Sequence, residues 1–239
     1  MKNFISALLI VASLCTFAKS PLHSYVRIKT VKGECIVLLY NETPKHRDNF
    51  LKLAKEGFYN GTLFHRVINN FMIQGGDPDS KTAKAGNLLG EGDLGYTIDA
   101  EFRDSLFHKK GVLAAARDDN PNKSSSASQF YLVHGKVLND TDLDRLEKER
   151  LMRKIPIWQR EVYKTIGGVP HLDQNYTVYG EVVRGIEMID AIAIAEKDAN
   201  DRPKVDVRME VSILKKKEVK NLEKELLQEA FRKKLVMRS

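Results

Sequence analysis

Alternating apolar and charged residues divide most of this chain into short, strand-like runs. Residues 25–30 alternate, Lys32-Gly33 favour a turn, and residues 34–40 return as a second apolar run. This arrangement is typical of a hairpin with one face in water. Residues 62–73 are largely β-branched and aromatic. Four further strands are predicted over residues 111–116, 129–133, 177–183 and 205–214.

Helical spacing marks only two compact segments among these strands. In the first, Thr43 is suited to cap the helix, Pro44 to its first turn and Gly57 to its end. Its apolar face consists of Phe50, Leu53 and Ala54. The second helix is predicted over 185–195, with Ile186, Ile189 and Ile192 or Ala193 on one side. Many short strands and two compact helices indicate an all-β barrel or sandwich with helical lids.

Two charged segments look like additions to this framework. Residues 139–163 are helical in pattern and are interrupted by Pro156, and residues 215–239 form a basic amphipathic tail. In the tail, Val219, Leu222 and Leu226 recur at helical spacing. Each segment is expected either to pack on the barrel or to lie in solvent. The alternative is a docking element for a partner.

The first residues have the layout of a signal peptide. Lys2 precedes an apolar run over 4–17, and small side chains around Ala18 suit a cut after that residue. We therefore expect a signal peptide over 1–18, export (to the periplasm by preference, otherwise secretion) and no membrane span after signal removal. The alternatives are an uncleaved anchor, or a lipid anchor on Cys15, which the bulky Leu14 before it disfavours.

Composition narrows the function classes. The 239 residues are 42 % hydrophobic and 30 % charged, which suits a packed core and argues against global disorder. The net charge of +7 is modest and spread out, with no basic stripe among aromatics, so we expect no nucleic-acid partner. Two cysteines exclude a disulfide scaffold and a multi-Cys zinc module. Cys35, in an apolar run, is predicted to be a buried, inert thiol.

Other chemistries find little support in the sequence. The six histidines show no metal-ligand spacing, so we expect no metal. Residues 90–95 match the pattern GxGxxG, but no apolar strand precedes them and no helix follows. A dinucleotide site needs both, so we interpret residues 79–95 as a flexible loop. Residues 118–128, rich in Asn and Ser, are predicted to be another loop.

Two consecutive runs, FHRVI over 64–68 and NFMIQGGD over 70–77, are highly specific. They resemble the signature of the cyclophilin family of peptidyl-prolyl cis–trans isomerases. Further runs agree in order: GYTIDAEF (95–102), GVLAAA (111–116), SASQFY (126–131), and LD (172–173) before VYGEV (178–182). The resemblance covers about 24–214 and omits the insertion 139–163 and the tail 215–239. It implies a mainly β fold, an eight-stranded antiparallel β-barrel capped by two α-helices.

The resemblance also implies an activity that needs no cofactor. An X–Pro bond rotates over a barrier of about 18–20 kcal/mol, and uncatalysed exchange takes tens to hundreds of seconds. Millisecond turnover requires the removal of roughly 6–7 kcal/mol. No bond breaks, so a fixed cation near the prolyl nitrogen suffices if it stabilises the twisted state more than the planar states. The expected partners are proline-containing polypeptides, and we expect a monomer.

The family pattern assigns roles to ten residues of this chain. Arg66 is the candidate cationic donor, and Gln74 is expected to orient its guanidinium and contact the substrate backbone. The proline cup is implied to consist of Phe71, Met72, Tyr131 and Leu172, with Tyr176 on its floor. The backbones of Ala116 and Arg117 and the side chain of Gln129 are implied to hold the peptide. Strand alternation separately predicts that Gln129 and Tyr131 share one face, with Phe130 in the core.

Several positions depart from the common family pattern. His171 stands where many relatives carry a tryptophan associated with cyclosporin binding, so we expect weak inhibition. Tyr131 replaces phenylalanine, and its hydroxyl needs a partner or water. Tyr176 replaces histidine and is expected to preserve catalysis. Arg117 replaces asparagine, and its charge is expected to favour acidic substrates.

Alternatives remain open for the site and for the function. Each cup residue taken alone could belong to an ordinary core, Arg66 could pair with Glu101, and Gln74 and Gln129 could be satisfied strand-end amides. The ordered set as a whole favours the functional interpretation. The main rival is a cyclophilin-shaped chaperone or binding module without turnover. A third hypothesis is an adaptor recruited through residues 215–239.

Overall fold

Ten strands and five helices make up the fold in the computed structural model, which describes residues 23–236. The strands are β1 (Ser24–Thr30), β2 (Gly33–Leu39), β3 (Phe64–Ile68), β4 (Met72–Gly75), β5 (Thr97–Ile98), β6 (Val112–Ala115), β7 (Ser125–Ser126), β8 (Phe130–Val133), β9 (Val178–Arg184) and β10 (Met209–Ile213). The helices are α1 (Pro44–Lys55), α2 (Asp140–Leu146), α3 (Ile157–Thr165), α4 (Glu187–Ala193) and α5 (Lys216–Val236).

Eight strands form one antiparallel sheet in the order β10-β1-β2-β9-β6-β8-β4-β3, and β5 pairs with β7 separately. The sheet curls until its two edges meet over a short stretch. Leu63 and Arg208 form a single bridge there, and the Phe64 amide donates to the Val207 carbonyl over 2.9 Å. The mainly β, eight-stranded antiparallel fold is confirmed, and the barrel is only partly closed.

Helices α1 and α4 cover the interior of the curled sheet, as predicted. Phe50, Leu53 and Ala54 of α1 are buried in the main core, together with Ile189 and Ile192 of α4. Cys35 lies in the same core and is 1 % exposed. Burial raises the pKa of its thiol to about 12, which suits an inert side chain rather than a nucleophile.

The start of α1 differs from the prediction. Thr43 is the N-cap residue, but its hydroxyl is buried and makes no hydrogen bond within the described part of the chain. The carboxylate of Glu101 caps the helix instead, accepting from the amides of Lys45 at 3.1 Å and His46 at 3.0 Å. A carboxylate satisfies two free helix amides and interacts favourably with the positive end of the helix dipole.

The end of α1 follows the prediction. Gly57 has φ +69°, a left-handed conformation that glycine adopts without strain. Its amide donates to the Ala54 carbonyl over 3.1 Å, and the Phe58 amide donates to Leu53 over 2.9 Å. This pair of bonds is the Schellman arrangement that closes a helix.

The charged segment 139–163 packs against the barrel. Helices α2 and α3 are separated by a π-helical turn over Glu147–Leu151, and Pro156 is the N-cap of α3, so the predicted interruption is confirmed. A separate cluster holds the segment in place through Phe107, Leu138, Leu143, Ile155 and Tyr163.

A buried carboxylate organises this segment from inside. Glu147 accepts from Nζ of Lys154 at 2.7 Å, the amide of Ile155 at 2.9 Å and Nη1 of Arg160 at 2.9 Å. Burial alone raises the pKa of Glu147, but these donors outweigh it and hold the value at about 2. The negative charge that interrupts the apolar pattern is therefore a fixed part of the insertion.

The beginning of α5 packs against the outside of the sheet. Val219 and Leu222 are buried beside Tyr25 and Leu214. Further along, Leu227, Phe231 and Leu235 are 72 %, 63 % and 55 % exposed. The predicted tail helix is confirmed, with its first turns on the barrel.

The predicted signal peptide over 1–18, including Cys15, lies outside the described residues. Among the residues described, no helix has both the length and the apolar character that crossing a membrane requires.

Candidate proline-binding site

The β3–β4 pair places a cation opposite an amide. Arg66 and Gln74 are paired residues in the register of these strands, and Nη1 of Arg66 donates to Oε1 of Gln74 over 3.4 Å. The Arg66 side chain is exposed, and no carboxylate of residues 23–236 lies within salt-bridge distance of it. Glu101 pairs with His46 at 2.8 Å, which excludes the alternative that Arg66 pairs with Glu101.

A chain of amides fixes the orientation of Gln74. Its Nε2 donates to Oε1 of Gln129 over 3.0 Å. Nε2 of Gln129 donates in turn to the carbonyls of Gly90 at 2.7 Å and Gly92 at 2.8 Å. Because both hydrogens of the Gln129 amide are used, the oxygen and nitrogen of Gln74 cannot exchange places without loss of a bond. Gln74 therefore presents its oxygen to Arg66.

Beside this pair lies a notch of about 270 Å³. Nine of the ten predicted site residues line it: Arg66, Phe71, Met72, Gln74, Ala116, Arg117, Tyr131, Leu172 and Tyr176. The tenth, Gln129, lines an adjoining cavity of about 390 Å³ that shares the rim residues Gln74, Ala116 and Arg117. All ten residues are therefore gathered around two neighbouring depressions.

The walls of the notch are apolar and aromatic. Met72, Tyr131 and Leu172 belong to a small cluster distinct from the main core, and Phe71 and Tyr176 pack against it. The Tyr131 and Tyr176 rings meet edge to face, with centroids 6.0 Å apart. Phe130 points the other way, into the main core, as strand alternation predicts. These five side chains form a surface of the size and character that suits a pyrrolidine ring.

His171 packs against Phe71, one wall of the notch. Its ring stacks on Phe71 with centroids 5.6 Å apart and an interplanar angle of 18°. Burial, and then the positive charge of Arg150, lower the pKa of His171 to about 4. At neutral pH the stacked ring is therefore uncharged. It is a smaller flat surface than the tryptophan common in relatives.

Arg117 has a use that the sequence did not reveal. Its Nε donates to the Asn175 carbonyl at 3.0 Å and its Nη2 to the Asn175 side chain at 3.1 Å. The guanidinium lies over the Tyr176 ring, 4.8 Å from the centroid. These contacts give the guanidinium a structural role at one wall of the notch, which is an alternative to the predicted preference for acidic substrates.

Two groups at the site were not predicted. Leu89, Gly90 and Glu91 of the glycine-bearing loop form part of the notch wall. Of the loop predicted over 79–95, residues 82–95 contain neither a strand nor a helix, whereas a 3₁₀-helix over Pro78–Lys81 occupies its start. Behind the notch, Nε2 of the buried His108 lies 3.0 Å from the Tyr131 hydroxyl. The need of that hydroxyl for a partner was the one signal in the sequence that pointed to such a residue.

No metal centre accompanies this arrangement. Within residues 23–236, no three His, Cys, Asp or Glu side chains are grouped so that they could hold an ion. The groups gathered around the notch are a guanidinium, two amides and apolar side chains.

Comparison with known proteins agrees with this fold. The family described as cyclophilin type peptidyl-prolyl cis-trans isomerase/CLD matches residues 25–212. The chain belongs to that family, which confirms the resemblance drawn from the sequence motifs.

Two of the similar curated proteins come from bacteria. A Staphylococcus epidermidis protein named as a peptidyl-prolyl cis-trans isomerase is 35 % identical over 186 residues, covering 77 % of this chain and 88 % of its own length. A Streptococcus pyogenes protein named as a bifunctional phosphatase/peptidyl-prolyl cis-trans isomerase is 38 % identical over 188 residues. This chain spans only 37 % of the length of that relative.

Solved structures show the same fold. A Cryptosporidium parvum cyclophilin type peptidyl-prolyl cis-trans isomerase superposes with a TM-score of 0.60 at 23 % identity, covering 81 % of this chain and 98 % of that one. A second structure of that protein, determined in the presence of the dipeptide Ala-Pro, gives a TM-score of 0.57 at 25 % identity. It covers 80 % of this chain and 99 % of that one.

Proposed function

We propose that this protein is a peptidyl-prolyl cis–trans isomerase that accelerates rotation of X–Pro bonds in exported or folding polypeptides. The observation that carries the proposal is the position of the Arg66–Gln74 pair on the rim of the notch formed by Phe71, Met72 and Tyr131. The family membership and the names of the bacterial relatives support it. So does the use of an Ala-Pro dipeptide with the C. parvum protein.

The proposed mechanism is electrostatic. The proline ring occupies the apolar notch, where it loses contact with water. As the imide twists, conjugation is lost and the nitrogen lone pair becomes localised. The permanent charge of Arg66 stabilises that lone pair, and Gln74 holds the guanidinium in place. Because the planar states offer no such lone pair, the interaction is stronger in the twisted state and lowers the barrier.

The unpaired state of Arg66 supports this role. A salt bridge would neutralise the guanidinium and weaken its field at the substrate. Asp77, which accepts from the amides of Asp79 and Gly90, and Glu91, which lines the notch, both lie beyond salt-bridge distance of Arg66. The cation therefore keeps its charge available for the imide, and its fork allows a second bond to the prolyl carbonyl.

The test is an isomerisation assay on a proline-containing peptide, with peptide affinity measured in parallel by NMR titration. Arg66→Ala is expected to lower kcat/KM by about 10²–10³-fold, the typical effect of deleting one transition-state donor, with the dissociation constant changed by less than about threefold. Arg66→Lys should recover part of the loss, because a lysine keeps the charge without the fork. Arg232→Ala, an exposed arginine on α5, is the matched control.

Two results would contradict the proposal. Equal activity of Arg66→Ala and the wild type would remove Arg66 from catalysis. Peptide binding by a wild-type protein that shows no turnover would favour the rival function, a cyclophilin-shaped binding module. Repeating the assay with residues 139–163 deleted separates the barrel's own activity from any contribution of the insertion.

A further inference from the structure

A line of hydrogen bonds runs from the notch into the inserted helices. The Tyr131 hydroxyl lies 3.0 Å from Nε2 of His108, and Nδ1 of His108 lies 2.9 Å from Oδ1 of Asp173. The hydroxyl of Tyr163, on α3, donates to Oδ2 of Asp173 over 2.7 Å. His108 and Tyr163 are completely buried, and Asp173 is 6 % exposed. The polar groups therefore satisfy one another out of reach of water.

Chemistry fixes the direction of these bonds. A carboxylate only accepts, so Nδ1 of His108 carries the proton that faces Asp173. In the neutral imidazole, Nε2 is then the acceptor, and the Tyr131 hydroxyl donates to it. The backbone amide of His108 also donates to Oδ1 of Asp173 at 2.8 Å. Asp173 thus holds both the ring and the backbone of His108.

The two ends of this line belong to different parts of the fold. Tyr131 is a wall of the notch, whereas Tyr163 is packed in the cluster that attaches the insertion, edge to face with Phe107 at 5.4 Å. Asp173 directly follows Leu172, a second wall of the notch. Any shift of the Asp173 carboxylate is therefore transmitted to two walls, to Leu172 through the backbone and to Tyr131 through His108.

We propose that Tyr163 is a positioning residue through which the inserted helices set the width of the proline notch. The inference rests on the proposed function, because it concerns how well the notch accepts a proline ring. The Tyr163 hydroxyl donates to Oδ2 of Asp173 over 2.7 Å, whereas the guanidinium of Arg153 lies 3.9 Å from the same oxygen, too far for a hydrogen bond. Without the Tyr163 hydroxyl, the side chains of Asp173 and His108 can rotate, and the Tyr131 and Leu172 walls of the notch are no longer held at a fixed separation.

The test is a double-mutant cycle of Tyr163→Phe and Tyr131→Phe, which remove one hydroxyl at each end and keep both rings. Tyr163→Phe is expected to lower kcat/KM three- to tenfold, mostly through a higher KM, because the walls bind planar and twisted proline alike. In the Tyr131→Phe background, Tyr163→Phe should have a clearly smaller effect, because the route through His108 is already cut and only the backbone route to Leu172 remains. Tyr25→Phe is the control. It removes the hydroxyl of a buried tyrosine that packs against α5, away from the notch, and its kcat and KM should match those of the wild type.

A loss of stability alone would give a different pattern. It would reduce the folded fraction and therefore the apparent kcat while leaving KM unchanged, and thermal unfolding of every variant records it. NMR of the His108 ring nitrogens adds a direct readout. We expect the Nδ1–H tautomer in the wild type and a shifted Nε2 resonance in Tyr163→Phe.

Equal effects of Tyr163→Phe in both backgrounds, or an unchanged KM and Nε2 resonance, would overturn the proposal. A wild-type protein without turnover would contradict the proposed function instead. In that case the peptide dissociation constant from the same NMR titration replaces KM in the cycle, so the role of Tyr163 is still decided.

Discussion

Gln74 donates its amide to Gln129 over 3.0 Å and turns its oxygen toward Arg66. The cation of the site is thus held by a neutral acceptor. A neutral acceptor orients a guanidinium without cancelling its charge, whereas a carboxylate at the same place would do both. Replacing Gln74 with alanine removes the acceptor, whereas replacing it with glutamate adds a negative charge beside Arg66.

Gln74→Ala is expected to lower kcat about tenfold, because Arg66 loses its orienting partner but keeps its charge. Gln74→Glu is expected to cost more, about 10²-fold, because the carboxylate pairs with Arg66 and weakens its field at the imide. Steady-state isomerisation kinetics of both variants decide the order. Gln228→Glu, at an exposed position of α5, shows what the same change does away from the site. If Gln74→Glu were more active than Gln74→Ala, the electrostatic mechanism would be contradicted.

Arg117 gives a second prediction, since its guanidinium lies over Tyr176 and binds Asn175. Arg117→Ala should loosen this wall and lower kcat/KM about three- to tenfold for peptides with an acidic or an apolar residue before proline alike. Asn175→Ala should shift activity in the same direction, because it removes one of the same bonds. Assays on the two peptide series provide the measurement. A loss confined to acidic peptides would instead show that the charge of Arg117 selects substrates.

The third prediction concerns the loss of folding stability at acidic pH. Burial lowers the pKa of His65 to about 4, despite the opposing effect of Asp77, with smaller effects of Arg66 and Arg202. An unfolded histidine has a pKa of about 6.5. Between these values the unfolded chain binds a proton that the folded chain does not, so stability is complete above about pH 6.5 and falls as pH falls toward 4.

For His65 this amounts to a loss of roughly 2 kcal/mol between pH 7 and pH 4.5. Denaturant unfolding at both pH values measures it. His65→Phe keeps a ring in the site and should reduce the drop by about that amount, whereas His23→Phe, at an exposed position, should leave it unchanged. An identical acid response of the wild type and His65→Phe would show that other groups, such as His171, whose pKa burial also lowers to about 4, carry the effect.

Much of the site was predictable because local patterns decide it. Alternation along β8 assigns Phe130 to the core and Tyr131 to the notch without any knowledge of the rest of the fold. The short spacing between Arg66 and Gln74 spans one hairpin, so their pairing follows once both strands are recognised. The motif order then supplies the remaining wall residues.

What escaped prediction depends on contacts between distant parts of the chain. Glu101 caps α1 although it lies 55 residues from His46 in the sequence. It therefore takes the capping role that the local sequence around α1 predicts for Thr43. Arg117 meets Asn175 from 58 residues away. Such partners become visible only when the barrel brings the loops together, since neither has a fixed spacing in the sequence.

The last prediction is that the first and second halves of α5 contribute differently to folding stability. A chain ending at residue 214 loses the burial of Val219 and Leu222 against Tyr25 and should be destabilised by roughly 3–6 kcal/mol, at about 1.5–3 kcal/mol for each of the two buried aliphatic side chains.

A chain ending at residue 228 keeps both contacts and loses mainly the exposed Arg184–Glu229 pair, so its stability should fall by less than about 1 kcal/mol. Denaturant unfolding compares the two chains, and the isomerisation assay on the longer one should match the wild type. Equal stability of both chains would mean that α5 does not belong to the folded unit. If the longer chain keeps turnover but loses capture of a partner, the exposed Phe231 and Leu235, which it lacks, gain the docking role that the sequence left open.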